Sequence, residues 1–140
     1  MIDDYTISTD KTKLDLDVIH QFLSQDSYWA LNIPRELVQR AINNSLCFGM
    51  YYHEQQVGFA RVISDLATFA YLSDVFVVPA HRGKGLSKFL VETISNYSDL
   101  QGLRRWVLVT QDAHTLYTQF GFTPLDKPEL FMQRKLIEKY

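Results

Sequence analysis

Between Asp74 and Ser87 the chain reads Asp-Val-Phe-Val-Val-Pro-Ala-His-Arg-Gly-Lys-Gly-Leu-Ser. An apolar, strand-like run stops at Pro79, and a turn rich in Gly and cations then opens a helix. The first amides of a helix have no partner within it, and the helix dipole adds positive potential at the same point. Gly83 and Gly85 carry no side chain, so an oxygen-rich anion can come close to the backbone. Arg82 and Lys84 add charge, and the guanidinium offers a planar fork. Arg82, Gly83, Lys84, Gly85, Leu86 and Ser87 therefore describe a cradle for a diphosphate. The plainer reading is a helix start behind a flexible basic loop. A dinucleotide-binding fingerprint is excluded because its third Gly is absent, and a P-loop because no Gly-Lys-Ser/Thr occurs at its spacing.

Other elements must hold this turn in place. A short strand is expected at Tyr5 to Ser8. Leu16, Ile19, Phe22 and Leu23 recur at helical spacing behind Asp15 and Asp17. Ser24 to Pro34 reads as a loop that carries Tyr28 and Trp29. Pro34 opens a second helix with Leu37, Val38, Ala41 and Ile42 on one stripe. Leu46 to Tyr52 and Val57 to Ile63 predict an antiparallel hairpin. Thr68 to Val78 is a long strand that feeds the cradle. A helix follows through Leu86, Phe89, Leu90, Ile94 and Tyr97. Arg105 to Thr110 is a further strand, and Ala113, Leu116, Tyr117 and Phe120 form a last stripe closed by Gly121. Strand-like pieces near Phe122 and over Phe131 to Lys135 end the chain.

The 140 residues predict one domain, 1–140, and 46% apolar residues suffice for a core without disulfide or metal staples. A net charge of −2 argues against nucleic acid and anionic membranes as partners. No apolar run approaches the ~20 residues of a membrane span. The segment Met1 to Lys13 lacks the apolar stretch of a signal peptide. Cys47 is the one cysteine, so no internal disulfide forms and a cytoplasmic location is expected. Cys47 lies between Leu46 and Phe48, where a thiol acts as a small apolar group rather than a nucleophile. The four His show no metal-ligand spacing, so no metal is expected.

The run Val-x-Pro, then Arg82-Gly-x-Gly85-Leu and a helix, resembles the acetyl-CoA motif of the GNAT acetyltransferases. Its pattern Gln/Arg-x-x-Gly-x-Gly/Ala falls on Arg82, Gly85 and Ser87, with Ser87 departing from the usual Gly/Ala. A second block, Ala113-His-Thr-Leu116-Tyr117-Thr-Gln-Phe-Gly121-Phe122, resembles the family's Ala-x-x-Leu-Tyr-x-x-x-Gly-Phe. The resemblance implies an α+β fold: a central mixed, mostly antiparallel sheet of about seven strands flanked by about four helices. It implies an N-acetyltransferase that takes acetyl-CoA as co-substrate. The coenzyme would lie between the strands ending at Val78 and Thr110, its pantetheine arm on backbone groups of Phe76, Val77 and Val78, and one amide there would polarise the thioester carbonyl.

The implied reaction is direct attack of a primary amine on the thioester. The resemblance makes Tyr117 the acid that protonates the departing thiolate. A phenol of pKa near 10 stays protonated at neutral pH, although Tyr117 also fits as one more residue of its apolar stripe. Asp74 is a candidate base, or else a partner for Arg61 on the neighbouring strand. His53, His81 and His114 are weaker candidates, and a water chain would serve without any dedicated base. The acceptor would enter opposite the coenzyme, where Tyr28 and Trp29 can hold an amine or a flat ring. Phe69, Tyr71, Asn32 and Phe131 lie near that side. Arg104 and Arg105 are open to an acceptor carboxylate or to solvent. A small amine or amino-acid-like acceptor is expected, with a peptide open. A homodimer through the C-terminal strands is a further expectation. The rival readings are a non-catalytic acetyl-CoA sensor and a nucleotide-phosphate binder of another fold.

Overall fold

A computed structural model describes residues 2–140. Among them five strands form one sheet in the order β1-β2-β3-β4-β5. These are β1 Tyr5–Ser8, β2 Leu46–Tyr52, β3 Gln55–Ser64, β4 Phe69–Val77 and β5 Arg105–Leu108. The first three junctions are antiparallel, and only β4 and β5 run parallel. The helices are α1 Leu16–Gln21, α2 Arg35–Asn43, α3 Leu86–Ser95 and α4 His114–Thr118. The mixed α+β fold and the four helices agree with expectation.

Local chemistry sets these elements. The Asp15 carboxylate caps α1 by accepting from the amides of Asp17 and Val18. The α1 helix runs into a wide π-turn, Phe22–Asp26, where the Ser24 and Ser27 hydroxyls donate to carbonyls four residues earlier. The Asp65 carboxylate accepts from the amides of Ala67, Thr68 and Phe69 and turns β3 into β4. Gly121, at φ 89°, ends the α4 turn as expected.

The sheet has a core on each face. One face packs Phe48, Val62, Ala70 and Leu72 under Leu86, Leu90, Val91 and Ile94 of α3. The other packs Phe59 and Phe76 under Ile19 of α1, Phe22 of the π-turn, and Val38 and Ile42 of α2. Phe22 stacks on Phe76 with centroids 4.1 Å apart.

The expected strands near Phe122 and over Phe131 to Lys135 are absent, so the sheet has five strands rather than about seven. Residues 123–140 are exposed and carry no ladder. Pro124 and Pro128 interrupt any pairing, and Phe131-Met132 and Leu136-Ile137 place apolar side chains on adjacent positions rather than alternate ones.

One irregularity shapes the site. Phe59 pairs with Phe76 and Arg61 with Ser73, so two steps along β3 match three along β4. That is a β-bulge at Asp74 and Val75, with Asp74 at φ 56°. The ladder between β4 and β5 stops at Leu72 and Leu108. Beyond that pair β4 continues to Val77 alone, and the sheet forks.

Candidate active site

The cradle turn sits at the open end of β4. Gly83 and Gly85 have φ of 81° and 77°, and a side chain at either would meet no atom within 4 Å. The turn is therefore left-handed because the chain path needs it, and its outer face is free. Gly85 is the N-cap of α3 and offers no side-chain cap, so the first amides of α3 remain unpartnered within the helix. Arg82 Nε donates to the Val77 carbonyl at 3.0 Å, and the guanidinium lies 5.9 Å from the Phe22 ring centroid. Its terminal nitrogens are left for an anion. A groove of about 420 Å³ runs here past Phe76, Val77, Arg82, Gly83, Gly85 and Ser87.

Two expected contributors are placed otherwise. The Lys84 ammonium turns away from the groove, donating to Tyr5 Oη at 3.3 Å and lying 5.9 Å from the Tyr5 ring centroid. Tyr5 Oη in turn is 2.8 Å from His81 Nδ1. Lys84 thus anchors the loop to β1, and His81 is tied up with it. The Val78 amide donates to the Val57 carbonyl at 2.9 Å, so it is held by the sheet. With Phe76 facing Phe59 across the same ladder, antiparallel alternation directs the backbone groups of Val75 and Val77 into the fork instead. Phe76 and Leu86 line the groove, but both are buried core residues, the Phe76 ring stacked on Phe22. Val75 was missed in the sequence, because a one-residue bulge leaves no mark in hydrophobic alternation.

A second cavity of about 300 Å³ adjoins the groove, between β4 and the β5–α4 loop. Tyr28, Trp29, Val75 and Asp112 line both spaces. Tyr117 and Thr110 face the second one. The Thr110 hydroxyl also accepts from the Ala113 amide at 3.1 Å and so fixes the start of α4. Tyr117 is 8% exposed. Burial, then the neighbouring Tyr28 and Asp112, push its phenol up to about 12. The group is a proton donor throughout the neutral range.

Asp74 is no free carboxylate. Arg61 Nε donates to one oxygen and Trp29 Nε1 to the other, each at 2.8 Å. The remaining Arg61 nitrogens donate to Ser45 Oγ and Ser73 Oγ. Of the two sequence readings, the Arg61 partnership is the one observed. The bulge carries Asp74 to where it also holds the indole, and that indole stands edge-on to Tyr28 at 5.0 Å. Tyr28 Oη accepts from the Gln111 amide at 2.7 Å. The Tyr28-Trp29 loop thereby spans the fork from β4 to the β5–α4 loop. Gln111 and Asp112 escaped the sequence reading. Their only signal is position, directly after the strand expected to flank the coenzyme.

The other candidates lie elsewhere. Tyr71 joins the wall of the second cavity. Arg104 and Arg105 line a separate space of about 590 Å³ against the segment after α4, and Phe131 lies over Arg105 at 5.1 Å. Cys47 is 1% exposed, and burial pushes its thiol up to about 11, which leaves it inert at neutral pH. Among the described residues no cluster of His, Cys, Asp or Glu could hold a metal ion. No helix among them is long and apolar enough to cross a membrane.

Comparison with known proteins meets this geometry. Residues 43–124 match the model of the acetyltransferase (GNAT) domain. The chain is 54% identical to a Xanthomonas campestris pv. campestris protein assigned to the GNAT family, whose crystal structure superposes with a TM-score of 0.94 over 97% of this chain and 96% of that one. It is 34% identical over 136 residues to a Gibberella zeae protein named as a candidate acetyltransferase, covering 81% of this chain and 76% of the relative. A Clostridium acetobutylicum predicted acetyltransferase crystallised with acetyl-CoA shares the fold at 18% identity, with a TM-score of 0.66 and 97% of both chains covered. The forked sheet, the glycine turn and these matches agree, and the chain belongs to the GNAT family of acetyltransferases.

Proposed function

We propose that this acetyltransferase is an N-acetyltransferase that moves the acetyl group of acetyl-CoA to a primary amine by direct attack. The observation that carries the reading is the position of Tyr117. Tyr117, with its protonated phenol, lines a cavity that shares Tyr28, Trp29, Val75 and Asp112 with the groove at the glycine turn.

The groove fits a diphosphate. Unpartnered amides at the start of α3 and the terminal nitrogens of Arg82 supply donors, and the glycines keep the approach open. The acetyl-CoA found in the Clostridium relative supports this assignment. A pantetheine arm would enter the fork along the backbone of Val75 and the amide of Val77, whose carbonyl is held by Arg82, and one of these amides would stabilise the oxyanion of the tetrahedral intermediate. The attacking nitrogen forms the new C–N bond, the C–S bond breaks, and Tyr117 gives its proton to the departing sulfur. The proton from the amine leaves to water through the open side of the cavity, and Tyr117 takes a proton back from water, which closes the cycle. Asp74, with both oxygens already engaged, acts by positioning Trp29 rather than as the base.

The reading is tested by following thiol release from acetyl-CoA over a panel of primary amines, with Tyr117→Phe as the control. Amine-dependent release that the variant loses supports transfer. Binding of acetyl-CoA without release for any amine would mark a sensor instead. The single buried thiol suits a reducing, cytoplasmic setting.

A homodimer is also part of the proposal. The outer edge of β5 has no strand beside it among the described residues. Nearby, the tail exposes Leu130, Met132, Leu136 and Ile137 at 60% or more. Both features are met by a second copy. Light scattering should then give twice the 16.3 kDa of one chain, and a monomer would contradict the idea.

A further inference from the structure

The cavity beside Tyr117 says which amines can be acetylated. Its chemistry comes from Tyr28, Trp29, Tyr71, Tyr117, Asp74 and Asp112. No Lys, Arg or His lines it. Of its two carboxylates, Asp74 is neutralised by Arg61, whose three nitrogens each donate once, to Asp74, Ser45 and Ser73. Asp112 is exposed and belongs to no ion pair among the described residues. Three other cations face other spaces. Arg82 lines the diphosphate groove, and Arg104 and Arg105 line the cavity on the far side of β5.

An ammonium entering this cavity meets one unpaired carboxylate and the exposed faces of Tyr28 and Trp29, at 46% and 40% exposure. Both attract a cation. A free amino acid would bring its own carboxylate two bonds from the attacking nitrogen. That carboxylate would find no cation and would stand near Asp112, and such a like-charge contact rejects a ligand.

We propose that the acceptor is a small primary amine with no ionised carboxylate beside the reacting nitrogen, and that Asp112 enforces this choice. The inference rests on the transfer reading above and narrows it, removing free amino acids from the acceptors that the sequence left open. The cavity of about 300 Å³ has to take the thioester end of the coenzyme as well as the acceptor, which restricts the amine to a small one.

Matched acceptors test it. Thiol release from acetyl-CoA is measured for phenethylamine, phenylalanine and phenylalanine methyl ester, and for isopentylamine, leucine and leucine methyl ester. Within each set the side chain is constant, and the ester keeps the bulk of the carboxyl group without its charge. The amine and the ester should exceed the amino acid in kcat/KM by about 10- to 100-fold. In Asp112→Asn that ratio should shrink several-fold, with the KM for acetyl-CoA measured alongside because Asp112 also borders the groove.

An amino acid used as well as its amine overturns the proposal and leaves the transfer reading intact. An ester as poor as the free acid shows that bulk decides rather than charge, and this also overturns it. A ratio unmoved in Asp112→Asn removes Asp112 from the account. Thermal stabilisation by acetyl-CoA without thiol release for any of the six compounds contradicts the transfer reading itself, and the proposal falls with it.

Discussion

The two halves of the cleft are built from different material. The half proposed to take the acetyl donor is backbone: glycines with open space beside them, unpartnered amides at the start of α3, and strand groups exposed where β5 stops short. The half proposed to take the acceptor is side chains from four separate stretches, tied by the links Arg61–Asp74–Trp29 and Tyr28–Gln111. A diphosphate needs only amides and a cation, which one turn can supply. An acceptor has to be told from its neighbours, and that takes side chains brought together by the fold. Substitutions should therefore act on binding in the first half, and on stability and turnover in the second.

The largest expected effect is on the acceptor frame. Replacing Arg61 by Met leaves the Asp74 carboxylate, whose side chain is 10% exposed, without its cation and with the Trp29 indole as its remaining side-chain donor. Leaving one partner of such a pair costs about 3–5 kcal/mol, which denaturant unfolding would measure. Next comes chemistry. Tyr117→Phe should lower kcat by roughly 10- to 1,000-fold while the KM for acetyl-CoA stays within about twofold. Because the phenol titrates near 12, well above its ordinary value, its acid form persists through the alkaline range. The wild-type rate should not fall between neutrality and about pH 10 through loss of this proton, and the variant should lower the pH profile without bending it.

The donor half should respond in affinity alone. Gly85→Glu forces φ of 77° on an L-residue and sets a carboxylate where the diphosphate would lie. Acetyl-CoA should bind about 100-fold more weakly by calorimetry. The smallest effect belongs to Trp29→Phe, which removes the hydrogen bond to Asp74 but keeps an aromatic wall. A two- to fivefold rise in acceptor KM is expected at nearly constant kcat. A change in acetyl-CoA affinity instead would break the division between the halves.

That division also governs what could be read from the residues. The donor turn is contiguous in the chain, so Arg82, Gly83, Gly85 and the helix behind them were legible, as were β1 and the hairpin of β2 and β3. Side-chain direction was not. Lys84 looks like a phosphate ligand in sequence, yet Tyr5, 79 residues away, draws its ammonium aside. The bulge at Asp74 was hidden for a similar reason. It arises from the mismatch of β3 against β4, so neither strand shows it alone, and with it went the free backbone of Val75 and the engaged amide of Val78. Tyr28 and Trp29 were marked by their loop, but their partners Gln111 and Asp74 lie 83 and 45 residues further on. The tail misled because Phe131 to Lys135 has the composition of a strand without the alternation that would bury one face.

A crystal structure of the chain with acetyl-CoA tests the central claim most directly. The account predicts the diphosphate on the amides that follow Gly85, beside Arg82, with the thioester sulfur within hydrogen-bond reach of Tyr117 Oη. A diphosphate held instead by Arg104 and Arg105 in the larger cavity beyond β5, or a sulfur turned away from Tyr117, would contradict it.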